Sequence, residues 1–128
     1  MATIQRTVSP GDSLCDPIPE TVAAAQKAAL DQVLGHLTAT GINAQLIRRV
    51  AVQCATSPAP SAQSLWYPPQ LVIYADKGRQ IARISVGPRS GSYLVELVDD
   101  RPDRAGRVEV VRGTEAKRVA WLISRAAA

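Results

Sequence analysis

The chain has no phenylalanine, and its 128 residues include only two Trp, three Tyr, one His and two Cys. Each shortage excludes something. Without Phe, the interior has to be filled by Val, Ile, Leu and Ala, the residues most often found fully buried. One His and two Cys fall one short of the four ligands of the usual Cys/His zinc site, and Cys15 and Cys54 form no Cys-x-x-Cys. No metal is therefore expected. The two cysteines read as free thiols of a reducing compartment, because a disulfide depends on a geometry that spacing alone does not give. No stretch approaches the ~18 consecutive apolar residues of a membrane span. The opening MATIQRTVSPGD has no apolar segment of the secretory kind. A soluble, cytoplasmic protein with no membrane partner is the expectation.

The motifs of the common catalytic classes are missing too. There is no Gly-x-Ser-x-Gly, no His-Glu-x-x-His, no dinucleotide-binding glycine fingerprint and no paired Cys and His. A general base needs an orienting partner and a place for substrate. His36 has neither in the sequence, and its place near the end of a helix suits the negative pole of the helix dipole. No enzymatic activity and no cofactor are expected.

What is present describes an ordinary folded protein. Hydrophobic residues make up 46% and charged residues 20% of the chain, a globular balance rather than a disordered one. The length suffices for one domain and is short for two, so residues 1–128 read as a single α+β domain. Abundant Ala and Arg with few Lys and no Phe suggest a bacterial or phage origin. The net charge of +4 is uneven: Arg6 and Lys27 face Asp12, Asp16, Glu20 and Asp31 in the first 47 residues, so the excess of base lies in the rest.

The pattern centres on residues 70–98, where three short apolar runs are separated by two turn clusters. Leu71, Ile73 and Ala75 alternate with Val72 and Tyr74; Ala82, Ile84 and Val86 with Arg83 and Ser85; Tyr93, Val95 and Leu97 with Glu96. Period-two alternation is the signature of half-buried strands. Asp76-Lys77-Gly78-Arg79 suits a tight hairpin turn. The cluster from Gly87 to Ser92 lacks the glycine spacing and lysine of a phosphate-binding loop, and it too reads as a hairpin turn. Residues 43–54 form a further expected strand, with Leu46, Val50 and Val52 on one face, and residues 107–112 another.

Two helices flank these strands. Over about 19–40, Val22, Gln26, Ala29, Val33 and Leu37 recur at helical spacing and Gly41 follows as a left-handed cap. Over about 114–126, Thr114 is the expected N-cap, Glu115 falls in the first turn, and Ala116, Val119, Ala120 and Ile123 form the apolar stripe. A low-complexity Pro/Ser/Ala-rich stretch at 55–64 reads as a loop. Residues 3–8 suit a short strand, and the mixed-sign stretch at 99–106 a solvated loop. An antiparallel sheet of about 4–6 strands packed on two helices accommodates all of this.

Function is carried by less. Trp66-Tyr67-Pro68-Pro69 concentrates aromatic and stiff residues in a chain that has few, and Trp121 falls off the centre of its helical stripe. Trp66, Tyr67 and Trp121 are the expected partner-binding residues, since aromatics dominate contact surfaces. The leading expectation is a non-catalytic protein–protein interaction module, an adaptor or assembly component that binds a protein partner or itself. The alternative is a nucleic-acid-binding domain that uses Arg48, Arg49, Arg79, Arg83, Arg89 and Arg112 as a basic sheet surface.

Overall fold

The computed structural model of the chain describes residues 16–55, 61–75, 78–98 and 107–127. The elements follow in the order α1 (Glu20–Ala39), β1 (Asn43–Ala55), β2 (Ser61–Tyr74), β3 (Gln80–Val86), β4 (Tyr93–Leu97), β5 (Arg107–Val111) and α2 (Ala116–Ala127). Every strand pairs antiparallel with the next, giving one sheet in the order β1-β2-β3-β4-β5. The architecture is the α+β arrangement read from the sequence, and the meander extends beyond residues 70–98 to all five strands. The expected strand at 3–8, Cys15, Asp76 and Lys77, and the loop at 99–106 lie outside the described residues.

Both helices contribute to one core on a single face of the sheet. Leu30, Val33 and Leu37 of α1 and Val119 and Ile123 of α2 are fully buried against Leu71, Ile73, Ile84, Tyr93 and Val95. Each such side chain contributes roughly 1.5–3 kcal/mol through removal from water. The core is aliphatic, as the missing Phe requires. Tyr93 is its largest fully buried side chain, and its hydroxyl donates to the Ala29 carbonyl at 2.9 Å. That bond ties β4 to α1 and satisfies a hydroxyl that burial would otherwise leave costly.

Local chemistry explains the turns. Gly78 and Gly91 adopt φ of 79° and 71° in the two inner hairpins, a region that side chains with a Cβ rarely enter. Gly113 is small for another reason: a Cβ there would lie 2.5 Å from the Gly91 carbonyl oxygen, so the end of β5 presses backbone to backbone on the β3–β4 turn. The buried line of α1 is Ala23, Gln26, Leu30, Val33 and Leu37, with Val22 and Ala29 half-buried beside it. Thr114 is not the cap of α2. The helix starts at Ala116, and the Glu115 carbonyl accepts from the amides of Arg118 and Val119, which puts Glu115 before the first turn.

The hairpin of β1 and β2 departs most from expectation. Strand pairing continues to Ala55 and Ser61, so half of the stretch at 55–64 is ladder, and residues 56–60 lie outside the described residues. β2 pairs with β3 only from Gln70 to Tyr74. Its earlier residues pair with β1, and only Trp66 has a further bridge, to Ile18. The two strands thus leave the sheet as a two-stranded arm beyond the end that carries the β3–β4 turn. Pro68 and Pro69, both buried, sit where the register of the pair shifts. A proline has no amide to give the ladder, so it belongs at an edge or a bulge, and the arm departs from the sheet at this point.

Candidate functional site

The arm gathers the side chains that the composition made scarce. Arg48 lies over the Trp66 ring, 5.3 Å from its centroid, and Arg49 over the Tyr67 ring at 5.8 Å. Neighbouring residues of a strand point to opposite faces, so each face of the ribbon carries one guanidinium stacked on one aromatic ring. Such contacts contribute about 0.5–1 kcal/mol at exposed positions. Arg49 also donates from Nη2 to the Pro68 carbonyl at 3.3 Å, which braces the bulge. The arm is further anchored at its root, where the Ile18 amide donates to the Trp66 carbonyl at 2.7 Å, just ahead of α1.

The apolar residues beyond this root have no helix above them. Val50 is 47% and Val52 66% exposed, although alternation groups them with the half-buried Leu46 as one apolar face. The physical reason is the arm itself: Leu46 lies opposite Leu71 within the sheet, whereas Val50 lies opposite Trp66 and Val52 opposite Ser64, past the last pairing of β2 with β3. Arg48, Arg49, Val50, Ala51 and Tyr67 border a shallow open hollow of about 520 Å³. Among the described residues no strand pairs with the outer side of β1. Its backbone there presents the unpaired donors and acceptors of an edge.

Trp121 stands apart from this cluster, on α2. It is 53% exposed and stacks under Arg125, whose guanidinium lies 4.9 Å from the ring centroid. The structure thus brings Trp66 and Tyr67 together and leaves Trp121 on another element.

The six arginines do not form one row. Arg48 and Arg49 are on the arm, Arg89 in the β3–β4 turn and Arg112 just after β5, all towards the same end of the sheet, while Arg79 is in the β2–β3 turn at the other end. Arg83 lies mid-sheet on the face away from the helices. It stands directly opposite Glu96, but no ion pair joins them among the described residues, and Arg83 Nε has no hydrogen-bond partner. That face is less polar than the alternation implied. Val72, Ser85 and Leu94 are 4%, 3% and 6% exposed there, among Gln70, Tyr74, Arg83 and the exposed Glu96.

His36 is half-buried in the last turn of α1. It borders an open depression with Gln32 and the start of α2. No helix among the described residues is long and apolar enough to cross a membrane.

One residue escaped the sequence reading. Gln26 lies in the buried line of α1, 4% exposed, and among the described residues neither its amide nitrogen nor its amide oxygen has a hydrogen-bond partner. Helical spacing put it in the stripe, but spacing carries no sign of whether a buried amide is satisfied. Comparison of the chain with protein-family models, curated proteins and solved structures returned no match. The function therefore has to be argued from this geometry.

Proposed function

We propose that this protein is a non-catalytic protein–protein interaction module whose contact element is the β1–β2 arm. The observation that carries the reading is the exposure of Val50 and Val52 on a ribbon whose root is braced by stacked Arg48–Trp66 and Arg49–Tyr67 pairs. Tyr, Trp and Arg are the residues that most often carry the binding energy of a contact surface, and here they stand next to exposed valines that add apolar area. The outer edge of β1 adds a second means of attachment. A partner strand, from another protein or from a second copy of this chain, gains its affinity from the edge's backbone groups and its register from Val50 and Val52. The guanidinium groups at the edge hinder indiscriminate strand pairing, a role charged residues often take on exposed edges. Trp121, with Arg125, is a separate and smaller contact on α2.

A V50D/V52D variant tests this. Its denaturation midpoint is expected to match the parent chain, because neither valine is in the core. It is also expected to lose association, read as a drop in mass by light scattering for a self-associating chain, or as loss of a stoichiometric partner co-purified from the source cells. Trp121→Ala is expected to retain most of it. A parent chain that stays monomeric at all concentrations and enriches nothing relative to the double variant would end this reading.

A further inference from the structure

A cavity of about 380 Å³, broadly open to solvent, lies between the first half of α1 and the β3–β4 turn, bordered by Val22, Ala25 and Gln26 on one side and by Val86 and residues 87–91 on the other. Its volume falls in the range of small-molecule sites. Most of its wall is uncharged, and the one charged lining residue, Arg89, is exposed. The turn does not act as an anion cradle. The Gly87 amide donates to the Ser92 carbonyl, the Gly91 amide to the Gly87 carbonyl, and the Ser92 amide to Ser90 Oγ. Three of the turn's backbone donors are thus committed within it.

The exceptional group in this wall is Gln26. A buried amide with no partner carries a full desolvation cost, and in folded proteins such groups are rare enough to require a cause. Exchanging the amide's nitrogen and oxygen does not remove the problem, because both atoms lack a partner. A residue kept only to fill this space would be Leu or Met, which fit a helix interior equally well. The side chain instead keeps a donor and an acceptor side by side, on a flexible stem that borders the cavity.

We propose that this cavity is a binding site for a neutral amide group, with Gln26 as its recognition residue. On binding, the Gln26 amide turns on its side-chain torsions from the packed wall into the cavity and makes two hydrogen bonds in one plane. Its NH₂ donates to the ligand carbonyl, and its carbonyl accepts from the ligand N–H. A carboxylate fits poorly because it accepts only and faces the Gln26 oxygen; an ester fits poorly because it cannot donate. Val22, Ala25 and Val86 pack the apolar part of the ligand. The same chemistry is offered by a small free carboxamide and by the backbone of a peptide segment. This site does not depend on the arm being a contact element.

The test is a titration of the full chain followed by ¹H–¹⁵N correlation spectra, with N-acetylglycine amide as the peptide-like probe and nicotinamide as the free carboxamide. Nicotinate serves as the carboxylate control. The expected result is saturable shifts of the Gln26 side-chain NH₂ and of the amides at 87–91 with at least one amide probe, with nicotinate at least ten-fold weaker. The probe that saturates at lower concentration identifies the source. Gln26→Leu is expected to weaken binding at least ten-fold while leaving the rest of the spectrum in place. Ala25→Trp, from an exposed position on the cavity rim, is expected to block it without touching the amide. V50D/V52D is expected to bind the probe as the parent does, which separates this site from the arm. Absence of saturable shifts with both amides, equal binding of nicotinate, or undiminished binding by both Gln26→Leu and Ala25→Trp overturns the proposal.

Discussion

The helix-covered part of the sheet and the arm that leaves it are made from the same two strands, yet they obey different rules. Leu71 and Trp66 are five residues apart in β2. Leu71 has β1 and β3 on its two sides and α1 above, and it is fully buried; Trp66 has β1 on one side and only the single bridge from Ile18 on the other, and stays half-buried. The same contrast holds in β1 between Leu46, packed against the core, and Val52, 66% exposed. What differs is the number of layers. A side chain under a helix contributes through exclusion of water, whereas one on a two-stranded ribbon has only cross-strand neighbours, and these contribute a few tenths to ~1 kcal/mol each. A lone hairpin is marginal in water. The cation–π stacks, the Arg49 bond to Pro68 and the Ile18 bridge to Trp66 therefore all cluster at the arm's root, where they hold it against the body.

Truncation in the body gives the largest effect. Ile84 is fully buried between Leu71 and Val95 in its cross-strand row, and Ile84→Ala is expected to destabilise by about 2–5 kcal/mol through lost burial and the cavity left behind. Val52→Ala, a truncation in the arm, is expected to fall within about 0.5 kcal/mol of the parent. Chemical denaturation of both variants checks the contrast, and equal losses would break it.

Next in size is Gly113→Ala. The added methyl collides with the Gly91 carbonyl oxygen, and because both sides are backbone neither can swing away. A loss of about 1–3 kcal/mol is expected, of the order seen for overpacking. Gly35→Ala is the control, since a Cβ there meets nothing within 4 Å, and it is expected to stabilise α1 slightly through helix propensity.

Tyr93→Phe removes one hydrogen bond and leaves the Ala29 carbonyl without it, for an expected cost of about 1 kcal/mol. Its pH dependence is the more specific test. Burial pushes the Tyr93 hydroxyl above its ordinary pKa, so the folded state holds this proton longer than the unfolded state does. The contribution is fully present below the unfolded pKa and is lost as pH rises through the raised folded value. Denaturation midpoints of the parent are thus expected to fall above pH 10 with a steeper slope than those of Tyr93→Phe. Parallel alkaline limbs would remove Tyr93 as the source.

The body was legible in the sequence because its periodicity records burial. Residues 71–75, 82–86 and 93–97 alternate since one face meets the helices, and residues 23–37 repeat at helical spacing since one line meets the sheet. The arm was not legible for the same reason. Leu65, Trp66 and Tyr67 are each only half-buried and the next two residues are prolines, so no alternation is written there, and the prolines and serines of 55–64 read as a loop, although strand pairing continues to Ala55 and resumes at Ser61. Of the candidate residues, the concentration of Trp66 and Tyr67 was visible from their scarcity elsewhere. Their pairing with Arg48 and Arg49 needed the register, including its shift at the prolines. Gln26 was placed in the buried stripe by spacing, but whether a buried amide finds a partner depends on tertiary contacts that spacing does not carry.

The smallest effect sharpens the comparison at the arm's root. If the Arg48–Trp66 stack holds the ribbon, the two side chains are energetically coupled. Arg48→Ala, Trp66→Ala and the double variant form a cycle whose interaction term is expected at about 0.5–1 kcal/mol. The same cycle on Arg125 and Trp121, a stack within one helix turn at 4.9 Å, is expected to give no more than the few tenths of a kcal/mol typical of exposed helical pairs. The difference arises because Arg48 and Trp66 join two strands that have no third strand beside them, only the Ile18 bridge at Trp66, so loss of their contact also loosens the pairing of Val50 and Val52 beyond it. Hydrogen exchange across β1 reads this directly: in Arg48→Ala the amides past residue 49 are expected to exchange faster, while those of residues 43–47 are unchanged. Equal acceleration along all of β1 would mean that arm and body open as one unit, and the division between them would not hold.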